Sequence, residues 1–187
     1  MAQIHQGSNN QIRANFKEKE FYSGCADAPN PHFLDDVTMD AVQAVRTWSG
    51  KPVRITSTYR TDLCNQLAGG STYSQHKLGK AIDFQWIDGA DNAYFVEAFR
   101  NEMKCRGPLW DQLRAMGVGG FGFYDTFIHL DSRPGLAAWD YATFDSENIN
   151  SAFLQGDLPE YCGSFDSDNP TDLPSTGGKK KVGSSRS

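Results

Sequence analysis

Two short segments of this chain alternate large apolar residues with groups that are costly to bury. In Ala81-Ile-Asp-Phe-Gln-Trp86, a period of two puts Ile82, Phe84 and Trp86 on one face, and Ala81, Asp83 and Gln85 on the other. In Phe127-Ile-His-Leu-Asp131, the same period sets Ile128 and Leu130 against Phe127, His129 and Asp131. A carboxylate between large apolar neighbours is unfavourable in a fold unless a partner compensates it. A fold for this chain must bury the apolar faces and supply partners to the polar ones.

The surrounding pattern supplies helices for those strands to pack against. Ala41, Val42, Val45 and Trp48 recur at helical spacing over 40–48, with Thr38 or Asp36 as the expected cap and Gly50 as the stop. Val53 to Ser57 alternates as a strand, and Gly69-Gly70 punctuates the polar loop after it. Phe95, Val96, Phe99 and Met103 mark a second helix over 94–103, and 109–116 a shorter one ended by Gly117. Phe121 to Tyr124 and Phe127 to Asp131 form a hairpin turning at Asp125-Thr126. This order predicts an α+β fold, with helices packed on one small, mostly antiparallel sheet.

At 187 residues the chain suits one domain. Residues 1–12 are polar and patternless and are expected to form a flexible arm. The domain is expected over 13–163, with a C-terminal extension from about 140 and a disordered tail over 164–187 that carries Lys179-Lys180-Lys181. The net charge of −5 excludes a basic protein that coats nucleic acid. No apolar run approaches the ~20 residues of a membrane helix, so no membrane insertion is expected. The N-terminus shows neither a basic start nor an apolar stretch, so no export signal is expected. Cys25, Cys64, Cys105 and Cys162 are scattered without a Cys-x-x-Cys pair, and the expectation is of reduced, structural thiols.

The chemistry concentrates in Ser74-Gln-His-Lys-Leu-Gly-Lys-Ala-Ile-Asp83 and in the strand carrying His129. Gly79 permits a sharp change of backbone direction, so His76 can fold back beside Asp83. His76, Asp83 and His129 make two imidazoles and one carboxylate, a set that zinc takes in hydrolases, with a fourth position left for water. Asp131, on the same face as His129, is the first candidate for a general base, and Asp125 the second. Asp131 can equally orient His129 or pair with Arg133. Arg60 is a candidate clamp for a substrate carboxylate, or a bridge to a surface one. His5 and His32 sit in no comparable pattern.

Ile55-Thr-Ser-Thr-Tyr-Arg60, Asn65, Gly69-Gly70, the Ser74–Asp83 block, Gly119-Gly120-Phe-Gly-Phe-Tyr124 and Phe127-Ile-His-Leu-Asp-Ser-Arg133 together resemble the zinc D-Ala-D-Ala peptidases, peptidase family M15. The likeness covers roughly 16–139 and is strongest to the branch found in bacterial murein hydrolases and phages. It implies the Hedgehog/DD-peptidase fold and one Zn2+ held by His76, Asp83 and His129. It further implies that Arg60 and Ser74 contact substrate, and that the reaction is hydrolysis of peptide bonds in peptidoglycan, in the stem peptide or the cross-link. Many members carry Glu or Asp three positions before the last histidine as the base, where this chain has Thr126. The expectation is therefore a monomeric murein carboxypeptidase or endopeptidase. With no export signal expected, it would be a phage endolysin or virion-associated lysin, made in the host cytoplasm or carried by the virion and acting in the periplasm or cell wall. The alternative is a non-catalytic, zinc-binding wall-binding or virion structural module of the same fold.

Overall fold

The computed structural model describes residues 1–141 and Cys162. Along the chain run β1 (Ala2–Ile4), β2 (Gln11–Arg13), β3 (Phe16–Lys17), β4 (His32–Leu34), α1 (Asp36–Ser49), β5 (Val53–Ser57) and α2 (Asp62–Leu67). A 3-10 turn over Gln75–Leu78 precedes β6 (Ala81–Trp86), α3 (Gly89–Lys104), α4 (Pro108–Met116), β7 (Gly120–Phe123), β8 (Ile128–Asp131) and β9 (Ala137–Asp140). The central sheet has five strands in the order β5-β6-β8-β7-β9, antiparallel except where β7 meets β9. The architecture is α+β, as expected.

One face of this sheet is the core. Ile82, Phe84 and Trp86 of β6, Phe121 and Phe123 of β7, and Ile128 and Leu130 of β8 are all buried there. Met39, Val42 and Val45 of α1, Phe99 and Met103 of α3, and Leu113 of α4 close over them. Each such side chain contributes ~1.5–3 kcal/mol on burial. The opposite face therefore carries Asp83 and His129 outward from the core, as the alternation requires.

Helix starts differ from the sequence reading because of caps. Asp35, rather than Asp36 or Thr38, caps α1 by accepting from the Val37 N–H at 3.3 Å, and Gly50 ends it in the left-handed region at φ 63°. Helix α3 begins at Gly89, ahead of the expected Tyr94, because Asp88 accepts from the Ala90 and Asp91 N–H groups.

The first twelve residues are not a loose arm. Strand β1 pairs with β4, β2 pairs with β3, and Ile4 is fully buried. Apolar residues this few and this unevenly spaced give no periodic signal, yet one buried isoleucine suffices as an anchor. The buried Glu18 fixes this segment further: it accepts from the His5 N–H at 2.7 Å, from the Ser8 hydroxyl and from the Asn10 amide. Hydrogen bonds from Ser8 and then His5 hold the Glu18 carboxyl down at about 2, from an ordinary 4.5. A depressed carboxylate pKa gives stability that is present above ~4.5 and is lost as pH falls through about 2. Glu18→Gln is expected to lower stability by about 1–3 kcal/mol at pH 7. Its deficit relative to wild type should shrink between pH 4.5 and 2, as read by urea melts across that range.

The cysteines also depart from expectation. Cys25 bonds to Cys64, and Cys105 to Cys162. The expectation of free thiols rested on compartment, whereas pairing follows from proximity in the fold between residues 39 and 57 positions apart. Cys64 lies on α2, so the first bond tethers the helix that leads into the Gly69-Gly70 loop. The expected extension and tail lie outside the described residues, apart from Cys162. Among the described residues, no helix is long and apolar enough to cross a membrane.

Candidate metal centre

Register brings the polar groups of several strands into one row. Ser57 of β5 pairs with Asp83 of β6, Asp83 with His129 of β8, His129 with Gly122 of β7, and Gly122 with Trp139 of β9. All lie on the face away from the core. The 3-10 turn swings His76 over this row, and Gly79 ends the turn at φ 63°. Gly79 has no substitute there, because a Cβ would lie 2.2 Å from the Phe33 carbonyl oxygen.

Three buried ligand atoms converge. His76 Nε2 is 3.2 Å from Asp83 Oδ1, His129 Nδ1 is 2.7 Å from the same oxygen, and the two ring nitrogens are 3.3 Å apart. The ligand bonds of tetrahedral zinc, ~2.0–2.1 Å, give edges of about 3.3 Å. Two of the three separations match that edge, and the third, at 2.7 Å, is about 0.6 Å shorter than it. This is a group that could hold a metal ion.

The outer atoms of each ligand are tied down in a way that bares the inner ones. His76 Nδ1 lies 2.6 Å from the Thr58 carbonyl oxygen, which only accepts. Nδ1 therefore carries the hydrogen, and Nε2 turns its lone pair to the site. His129 Nε2 lies 2.9 Å from Asp131 Oδ2, which leaves Nδ1 facing Asp83 and His76. Arg60 Nη2 donates to Asp83 Oδ2 at 2.7 Å, while its Nε donates to the Ser57 hydroxyl. That leaves Asp83 Oδ1 directed inward.

Electrostatics follow the same division. Burial pushes the Asp83 carboxyl up, but hydrogen bonds with His129 and His76 outweigh it and hold the group well below the usual carboxylate range. Burial also lowers His76, against the pull of Asp83. At His129 burial is outweighed by hydrogen bonds to Asp131 and Asp83, and the pKa rises. Asp131 is opposed by burial in the same way, yet His129 and Arg133 hold it at about 2.

The centre opens into a cavity of about 590 Å³. Arg60 and Ser74 line it, as expected of substrate-contacting residues. The two candidate bases do not. Asp131 is fully buried behind His129, and Arg133 grips it through Nε at 2.8 Å, Nη2 at 2.6 Å and its backbone N–H at 3.1 Å. Period two fixes the face of Asp131 but not its direction along that face, and the fold holds the carboxylate behind His129, away from the cavity. Asp125 is exposed on the hairpin turn and does not line the cavity. Thr126 is exposed beside it, with its carbonyl accepting from the Asn92 amide. Among the described residues, Asp83 is the one carboxylate on the cavity wall.

Sequence reasoning missed Tyr124 and Trp139, both on that wall. The available signal was Gly120-x-Gly122, glycine at every second position of a strand, which marks a close approach by other groups. A Cβ at Gly120 would meet the Asp131 carboxylate at 2.1 Å, and one at Gly122 the Trp139 indole at 2.6 Å.

A family model described as peptidase M15 matches residues 12–131. The chain belongs to the peptidase M15 family. The match holds all three candidate ligand residues with Arg60, Ser74, Tyr124 and Asp131, and stops short of β9. The M15 family is one of zinc-dependent metallopeptidases. This M15 chain is also similar to the membrane-bound transcription factor site-1 proteases of Homo sapiens and Mus musculus, at 31% identity over 88 residues. That stretch is 43% of this chain and spans 8% of the length of those relatives.

Proposed function

We propose that this chain is a zinc peptidase that hydrolyses peptide bonds in bacterial peptidoglycan. The observation that carries this reading is the convergence of His76 Nε2, Asp83 Oδ1 and His129 Nδ1 at the floor of an open cavity. Two imidazoles and one carboxylate, with three protein ligands and space beyond them, make a hydrolytic zinc set. A bound zinc ion would supply Lewis acidity toward a carbonyl and would lower the pKa of water to ~7.

The chain's own residues supply the rest. Thr58 and Asp131 hold the two rings in the required tautomers. Arg60 and Arg133 both reach the cavity, each paired to an aspartate behind it, Asp83 and Asp131, so the wall offers oriented guanidinium N–H donors. That suits a peptide rich in carboxylates, as peptidoglycan stems are. Phe127, Trp139 and Tyr141 form an aromatic side of the cavity that limits water. The two disulfides fit a site of action outside a reducing cytoplasm, where peptidoglycan lies. A phage endolysin or virion-associated lysin reaches the same compartment and agrees with this reading.

One observation favours a second reading, a zinc-binding wall module without activity: among the described residues no carboxylate besides Asp83 faces the cavity. Mass spectrometry of muropeptides after digestion of purified peptidoglycan separates the two. Zinc-dependent loss of terminal D-Ala, or opened cross-links, supports the peptidase and names the bond. Intact muropeptides from zinc-loaded protein would contradict it.

A further inference from the structure

We propose that Tyr124 is a catalytic residue whose O–H donates a hydrogen bond to the scissile carbonyl oxygen as negative charge develops there. This rests on the peptidase reading above. Strand β7 places it. Gly120 and Gly122 lie on the site face, leaving space for Asp131 and Trp139, while Phe121 and Phe123 point into the core. The next residue on the site face is Tyr124, half-buried on the cavity wall.

Its hydroxyl is held in a particular way. Trp139 Nε1 donates to Tyr124 Oη at 3.1 Å. An indole N–H only donates, so the phenol oxygen is the acceptor, and its own hydrogen is left for another partner. No described protein acceptor takes it, and the cavity lies beside it. The ring is fixed by Phe127, stacked at 4.1 Å with an interplanar angle of 12°. Trp139 is fixed in turn, with its ring 5.2 Å from the His129 ring and the Arg133 guanidinium 5.1 Å above it. Asp140, the next residue of β9, is anchored to Arg100 and Lys104 at 3.1 and 3.4 Å. The hydroxyl is thus linked through the Trp139 indole to His129 on the same cavity wall, on groups that are already packed, and a pre-positioned donor acts without reorganisation. Burial raises the Tyr124 pKa above its ordinary value, so the O–H is intact at neutral pH. No proton leaves Tyr124 in this role. The hydrogen bond strengthens as water adds to the carbonyl carbon, and it relaxes when the C–N bond breaks and the leaving amine takes a proton from that water.

Tyr124→Phe removes the hydroxyl and keeps the stacked ring. The expected result is a fall in kcat of ~10²-fold with KM within about threefold of wild type. Affinity for a phosphinate dipeptide, measured by calorimetry, should fall by a similar factor, because its P–O group mimics the developing oxyanion. Affinity of the metal-free variant for the uncleaved peptide should stay unchanged. Trp139→Phe, which removes only the positioning N–H donor, should lower kcat by a smaller factor. The double variant should be no slower than Tyr124→Phe alone. An unchanged kcat in Tyr124→Phe, or equal losses for phosphinate and peptide, overturns the proposal. If Tyr124→Phe does not fold, an unchanged kcat in Trp139→Phe overturns it. A wild-type protein that cleaves no peptidoglycan peptide overturns the peptidase reading itself, which is a separate outcome.

Discussion

His129→Ala is expected to abolish both zinc binding and peptide cleavage while leaving the fold intact. Its ring supplies one of three ligand atoms and sits in the middle of the row that joins β6, β8 and β7. Zinc-binding free energies of ~10–16 kcal/mol are shared over a ligand set, so loss of one ligand should weaken affinity by roughly three orders of magnitude or more. Zinc content measured on dialysed protein should drop from one equivalent toward none, and amino-group release from peptidoglycan should drop with it. The fold survives because Asp131 keeps its two-toothed pairing with Arg133, so no buried charge is left alone. Replacement of His5, half exposed and remote in role, should leave zinc content unchanged. Full zinc retention in His129→Ala would remove this residue from the ligand set.

Asp131→Asn separates positioning from base catalysis. The carboxylate touches His129 Nε2 and Arg133 and is fully buried away from the cavity. An amide of the same shape holds the ring less firmly and lowers its basicity. Zinc affinity is expected to fall ~10–100-fold, the usual effect of removing a partner behind a metal ligand. At saturating zinc, most of the activity should return. A general base would behave otherwise, with kcat down ~10²–10⁴-fold whatever the zinc concentration. A titration of activity against free zinc for both proteins distinguishes the two roles.

The convergence of the candidate ligand residues was legible in the sequence because it follows from a local rule. Alternation placed Asp83 and His129 on faces opposite Ile82, Phe84, Ile128 and Leu130, and Gly79 marked where His76 turns back. What was not legible depends on distance. The direction of Asp131 is set by Arg133 and by the absence of a side chain at Gly120 on the neighbouring strand. Trp139 reaches the site through β9, a strand of four residues whose parallel pairing with β7 gives no hairpin signal. Ile4 orders the N-terminus by entering a core built from residues far along the chain. The disulfides join residues that only the completed fold brings together.

The central claim is that one metal ion, held by His76, Asp83 and His129, makes this chain a hydrolase. Its most direct test is to strip the protein with a chelator, add zinc back stepwise and follow amino groups released from purified peptidoglycan. The account predicts no release from stripped protein and a linear rise that breaks sharply at one equivalent of zinc. Release that persists without zinc, or one equivalent bound with no release, would contradict it.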